Sequence, residues 1–256
     1  QIERKGYVQD RARAEKGETD AEGSIAPMLA KKFFAQDQER ELPIEKHELE
    51  DGGKIKFPAL PQPKLDAIRC IAVIEDGICT LWSRTRKQIT SVPHINRFYE
   101  KHFGKRDAIV DGELYNNDYA DDFERITELV RPDVPVEGHE IVQHHVYDLP
   151  SSELTNGQRV LEIENEFSPN RIGVGTPIVI VPTVRVSSIG DMIAKFREFR
   201  AQGYEGAIVR NVAGLYANKR SNDLQKVVET ITEEFPIMGV EEGSGKLQGH
   251  VGAFYL

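Results

Sequence analysis

A chain of 256 residues, 39% hydrophobic and 29% charged, is long enough to bury a proper core as one large domain or one large and one small. No run reaches the about 18 apolar residues of a membrane helix, and the polar start Gln1-Ile2-Glu3-Arg4-Lys5 carries no secretion signal, so a cytoplasmic protein without a membrane partner is expected. The net charge of −9 argues against a surface that is basic throughout and leaves nucleic acid only local patches to bind.

Residues 1–23 are mixed in charge, are broken by Gly17 and Gly23, and read as an extension in which Tyr7 to Glu15 can form a short helix. Ile25 to Ala30 is apolar and reads as a packed N-terminal arm, and Lys31 to Gly52, rich in Glu, Gln and Lys, as a surface helix and loop. The segment Phe57-Pro58-Ala59-Leu60-Pro61-Gln62-Pro63 cannot be helical, because proline lacks an N–H and drives its predecessor into extended geometry. Lys64 is therefore presented from a stiff strand or loop.

Ile68 to Ile74 and Ile78 to Trp82 are β-branched runs joined by Glu75-Asp76-Gly77, a hairpin pattern. Cys70 and Cys79 lie on its two arms and read as reduced core thiols, since they are the chain's only cysteines and no metal-ligand set surrounds them. Pro93 to Phe103 reads as a helix and Ala108 to Tyr115 as a strand on which Asp111 and Glu113 point the same way. Asp121-Asp122 start a helix over Phe123 to Arg131, acids being favoured at that end of the dipole.

A strand is expected from Glu140 to Tyr147, and a helix within Ser151 to Phe167 from the spacing of Leu154, Val160, Leu161 and Ile163. Pro177 to Val186, almost continuously apolar, predicts a buried central strand. Ser188 to Gln202 predicts a helix whose apolar face is Met192, Ile193, Phe196 and Phe199, stopped by Gly203. Strands follow at Gly206 to Arg210 and Leu224 to Val228, and Phe235 to Val240 with Val251 to Leu256 read as a hairpin around a Gly-rich turn. The irregular alternation indicates an α+β fold.

Several short charged motifs occur in a set order. They are Lys64-Leu65-Asp66-Ala67-Ile68-Arg69, Asp111-Gly112-Glu113, His145-Val146-Tyr147-Asp148, Tyr204-Glu205-Gly206-Ala207-Ile208-Val209-Arg210, and Arg220-Ser221 leading to Lys226. From about Ser24 onward this order resembles the ATP-dependent DNA ligases of phage and bacterial type, within the covalent lysine nucleotidyltransferases. The resemblance implies two antiparallel sheets flanked by helices and enclosing an ATP cleft, in a domain over 24–231, with the start of an OB fold over 232–256. That last segment supplies about two of the five or so strands an OB fold needs.

It also implies a chemistry. A lysine amine attacks only when neutral, which neighbouring cations or burial favour. Lys64 would take AMP from ATP, and the adenylate would pass to the 5′-phosphate of nicked double-stranded DNA before the 3′-hydroxyl displaces it. The catalytic assignment is Lys64, Asp66 and Lys226. Nucleotide binding falls to Gln62, Lys64, Arg69, Arg84, Glu113, Tyr147, Glu205 and Lys226, with Tyr147 stacking on adenine. Glu113 and Glu205 would hold Mg²⁺, and no histidine receives a role. A monomer in the cytoplasm, or in the cytoplasm of a phage-infected host, is the expected setting. Two positions depart from the motif pattern: Ala67 stands where glycine is usual, and Val228 where a second lysine is. A homologue that binds nucleotide or nicks without catalysis, and an RNA ligase, are the alternatives.

Overall fold

Asp76 and Gly77, with φ of 51° and 83°, make the tight two-residue turn that suits a twisted hairpin, and they join β3 (Ile68–Glu75) to β4 (Ile78–Ser83). The computed structural model describes residues 27–33, 54–120, 122–150, 153–228, 236–245 and 248–255. The helix expected within Tyr7 to Glu15, most of the expected surface segment at 31–52, Asp121 and Phe235 lie outside them. The described residues fall into a large unit up to Val228 and a small one after it.

In the large unit the hairpin is the centre of a six-stranded sheet. Its order is β5 (Gln88–Ile89), β4, β3, β6 (Ala108–Tyr115), β7 (Gln143–Asp148) and β8 (Ile178–Ile180). Cys70, Ala72 and Ile74 alternate along β3 into a core shared with Ile95, Tyr99 and Phe103 of helix α1 (Pro93–Phe103) and with Ile126 and Leu129 of α2 (Phe123–Val130). Asp122 caps α2 by accepting from the Arg125 amide at 3.0 Å. Both cysteines are free and buried there, as expected. Arg69, one residue out of phase, faces the opposite side of the sheet.

The second sheet runs β1 (Leu29–Lys32), β10 (Arg220–Val228), β9 (Gly206–Asn211), β2 (Ala59–Lys64). Helices α3 (Asn156–Glu166) and α4 (Pro169–Ile172) precede β8, and α5 (Ile189–Ala201) follows it. Met192, Ile193, Phe196 and Phe199 of α5 pack on Ala207, Val209 and Val227. Ser188 accepts from the Asp191 amide at 3.1 Å, and Gly203 ends the helix region at φ 90°. Each sheet is antiparallel except for one edge pair, β1 with β10 and β7 with β8.

Three expectations need correction. The apolar run Pro177 to Val186 is not one central strand: only Ile178–Ile180 forms a strand, at the sheet edge, because Pro177 and Pro182 bring no N–H, and Val186 makes a single bridge to Ala59 of the other sheet. Beyond it the chain crosses between the sheets, with Val181 N–H donating to Val146 O (2.9 Å) and Val184 N–H to Pro61 O (3.0 Å). The strand expected from Glu140 begins at Gln143, after a 3₁₀ turn at His139–Ile141. Helix α3 starts only at Asn156, where Thr155 and Gln158 form a capping box, and its inward face carries Arg159 while Leu161 is 59% exposed.

The small unit, taken by itself, is an antiparallel hairpin of β11 (Gly239–Glu242) and β12 (Val251–Tyr255), in agreement with the sequence pattern. No helix among the described residues is long and apolar enough to cross a membrane.

Candidate active site

Alternating prolines keep β2 extended up to its last residue, Lys64, which pairs with Gly206 of β9. Gly206 is required by close approach: a Cβ there would lie 2.2 Å from Val227 O on β10. The absence of a side chain lets three strands converge where the lysine leaves the sheet.

Lys64 opens into a cavity of about 350 Å³ between the two sheets. From the four-stranded sheet come Gln62, Lys64, Ile208, Arg210, Arg220 and Lys226, with Leu29 and Ala30 of β1. The six-stranded sheet supplies Arg69, Glu113 and Tyr147, and Arg84 follows β4. Asp66 and Ala67 line it from the turn after Lys64. Of the predicted site residues, only Glu205 is outside this lining. Its carboxylate is 39% exposed and forms an ion pair with the Lys64 amine, beside the cavity.

Two buried acids anchor the arginines. Asp111 receives both arms of Arg69, Nε at 2.6 Å and Nη2 at 2.5 Å, and the Tyr216 hydroxyl at 2.7 Å. Asp148 receives Arg159 Nε at 2.5 Å and Nη2 at 3.3 Å, Arg210 Nη1, and its neighbour Leu149 N–H at 2.9 Å. Burial pushes both carboxyls up. For Asp111 it prevails over Arg69 and Tyr216, whereas two arginines hold Asp148 below the ordinary carboxylate range.

This scaffold positions the aromatic ring. Arg69 and Arg210 lie 5.1 and 5.4 Å from the centroid of Tyr147, whose hydroxyl donates to Gly112 O at 3.3 Å. Gln62, buried, donates to Thr183 Oγ1 at 2.8 Å and accepts from Arg210 Nε at 3.1 Å. Together they form a polar edge beside a flat aromatic surface, an arrangement able to hold a planar base. Ala67 does not obstruct: its methyl packs with Tyr147 and Tyr204 against Leu65, Tyr115 and Val181. Its φ is not positive, so glycine's freedom is not needed there.

Glu113 is the unbalanced group. Its Oε2 is inaccessible and lacks a hydrogen-bond partner, and burial pushes its carboxyl up to about 8 despite Arg69 and Lys64. No cluster of three or more His, Cys, Asp or Glu side chains suited to a metal occurs among the described residues. An orphaned carboxylate oxygen still suits a hydrated divalent ion that takes few protein ligands and completes its shell with phosphate and water. Since the folded carboxyl titrates above the unfolded one, at about 4.3, its contribution to stability is full below the unfolded pKa. It is lost as pH rises through about 8. In metal-free buffer Tm should fall over that interval, and Glu113→Gln should flatten the fall. An unchanged profile in the variant would contradict the assignment.

His144, fully buried, is held between Tyr99 OH (2.7 Å) and Cys70 O (3.2 Å), and burial drives it down to about 3. Four features were missed in the sequence: β1 as a wall of the cavity, Arg220 on its rim, Thr183 beside Gln62, and the Asp148–Arg159–Arg210 network. Arg210, Arg220 and Asp148 stood within quoted motifs without roles. Nothing local in the sequence marks the others, because their partners lie 11 to 190 residues away.

The model of the ATP dependent DNA ligase domain matches residues 27–227. The DNA ligase of Enterobacteria phage T4 is 26% identical over 95 residues, 37% of this chain and 18% of that protein. The chain thus matches under a fifth of the length of that curated relative. Among solved structures, the Chlorella virus DNA ligase-adenylate aligns with 22% identity and a TM-score of 0.58, covering 80% of this chain and 69% of that one. A DNA ligase solved in a structure-function analysis of Lig E enzymes, on DNA binding with a minimal scaffold, aligns with 20% identity and a TM-score of 0.60, covering 90% and 79%.

Proposed function

Because the chain belongs to the ATP-dependent DNA ligase family, we propose that it seals nicks in duplex DNA, using Lys64 as the nucleophile. One observation carries the reading. A lysine at the end of a strand opens into a cavity walled by cations of both sheets and by Tyr147, with Glu113 unsatisfied within it.

In the first step the neutral Lys64 amine forms an N–P bond to the α-phosphorus of ATP. The bond to the β-phosphate oxygen breaks, pyrophosphate leaves, and the amine proton departs to solvent. In the second, an oxygen of the 5′-phosphate attacks the adenylate phosphorus, the P–N bond breaks, and Lys64 leaves as an amine that takes a proton from solvent. In the third, the 3′-hydroxyl attacks the 5′-phosphate and gives its proton to solvent, the bond to AMP breaks, AMP leaves, and the strand is joined. Each step needs positioning and neutralisation of phosphate oxygens more than covalent help.

Tyr147, Gln62 and Arg210 orient the base, Lys226 faces the phosphates, and Arg84 and Asp66 stand at the mouth where a nick would approach. Glu113 and Glu205 would hold magnesium, which supplies charge neutralisation to the phosphate oxygens. Glu205 must first release the Lys64 amine, so nucleotide binding and freeing of the nucleophile are coupled. We assign 24–231 to adenylation and 232–256 to the start of an OB fold, in a monomer of the cytoplasm or of a phage-infected host's cytoplasm.

Given α-labelled ATP and Mg²⁺, the chain should become covalently labelled and should seal nicked DNA in preference to nicked RNA, with GTP labelling poorly. Binding of ATP without label would favour a non-catalytic homologue, and preference for RNA an RNA ligase. Lys226→Ala should slow labelling about a hundredfold, the usual cost of removing one pre-placed charge donor. Unchanged labelling would remove Lys226 from the reaction.

A further inference from the structure

We propose that Lys32, on β1 beside this cavity though not in its lining, is a phosphate-binding residue directed at the pyrophosphate end of bound ATP, an assignment that rests on the function proposed above. In the order β1-β10-β9-β2, Lys64 occupies one edge strand and Lys32 the other. Lys32 is the registered partner of Lys226, so the two side chains leave the same face of the sheet, the face on which Lys226 lines the cavity.

The neighbourhood of Lys226 is strongly cationic. Its interacting charges are Lys64, Lys32 and Arg220, with Glu205 as the opposing carboxylate. Burial first, and then these cations, pull the Lys226 amine below its usual range. Like charges on paired strands repel, and four cations against one acid suit a ligand carrying several negative charges. Val228, two residues beyond Lys226 on β10, adds none.

In-line displacement sets the direction. The leaving group departs on the side of the α-phosphorus opposite the attacking atom, so a nucleophile on β2 sends pyrophosphate toward β10 and β1. Strand β1 is fixed there: Leu29 N–H donates to Lys219 O at 3.1 Å, Phe33 N–H to Lys226 O at 3.0 Å, and Arg220 Nη1 to Ala30 O at 2.6 Å. Lys32 is thus carried on an edge strand whose backbone is tied to the β10 segment both before and after it in sequence.

The test is calorimetric titration of ATP and of AMP into the chain in EDTA, where no turnover occurs. Wild type should bind ATP more tightly than AMP, and Lys32→Ala should reduce that preference about tenfold, the worth of one charge-assisted contact. Lys32→Arg should keep most of it. Equal weakening of both ligands would mean a structural role, and an unchanged ratio no role; either overturns the assignment. Wild type that prefers ATP but takes no covalent label would sink the proposed activity and leave Lys32 in place. Wild type with no preference overturns Lys32 whatever the labelling shows.

Discussion

Lys64→Ala should take no label from ATP, a loss of at least about a thousandfold, because the amine placed at the strand end to form the N–P bond is gone. Lys64→Arg is the sharper variant. It keeps a cation able to pair with Glu205, but a guanidinium stays protonated and cannot attack. If Lys64 were only the partner of Glu205, the arginine variant would keep activity, and if it is the nucleophile both variants are silent. Retained labelling in either, with the label mapped to another residue, would end the present reading. Binding of ATP by these variants should survive, since Gln62, Tyr147, Arg210 and Lys226 remain.

Asp148→Asn should destabilise the chain by about 3 to 5 kcal/mol at neutral pH, the range found when one member of a buried ion pair is removed. Arg159 and Arg210, both buried, would then face a neutral amide. The pH dependence gives an independent check. The folded Asp148 carboxyl sits below the ordinary range, so its stabilisation is present above the unfolded pKa of about 3.9. It disappears as pH falls through the folded value. Wild type and variant should therefore converge in urea unfolding as pH drops below about 4. A variant within about 1 kcal/mol of wild type at pH 7 would show the network to be unimportant for stability.

Lys64 and Asp148 belong to different layers of one site. Asp148 does not line the cavity, yet through Arg210 it holds both a side of the Tyr147 ring and the amide of Gln62. Its loss should also weaken nucleotide binding. Ala67 and Val228, which break the family pattern, turn out differently. The Ala67 methyl is absorbed by apolar packing, whereas Val228 leaves a charge for another strand to provide.

How far the sequence could be read depended on the range of the interaction. The hairpin after Lys64 was legible because Asp76-Gly77 and two β-branched runs act within a dozen residues. The same holds for α5, whose cap, apolar face and glycine stop are all local. Legibility failed where a run could satisfy more than one role. Pro177 to Val186 has the composition of a central strand, but its two prolines make it a crossing between sheets, and Arg159 faces inward although the helical spacing marked Leu154, Val160, Leu161 and Ile163 and not that position.

By itself the sequence determined the chemical inventory: which lysine leaves a proline-stiffened strand, which acids and aromatics recur in order, and which elements are helix or strand. Tertiary structure alone decided that β1 lies parallel to β10 with Lys32 beside Lys226, that Glu205 pairs with Lys64 outside the cavity wall, and that Asp111 and Asp148 each hold arginines. The reason is physical. Strand pairing across some 190 residues and the balance of buried charge depend on distances in space, which a one-dimensional pattern does not contain.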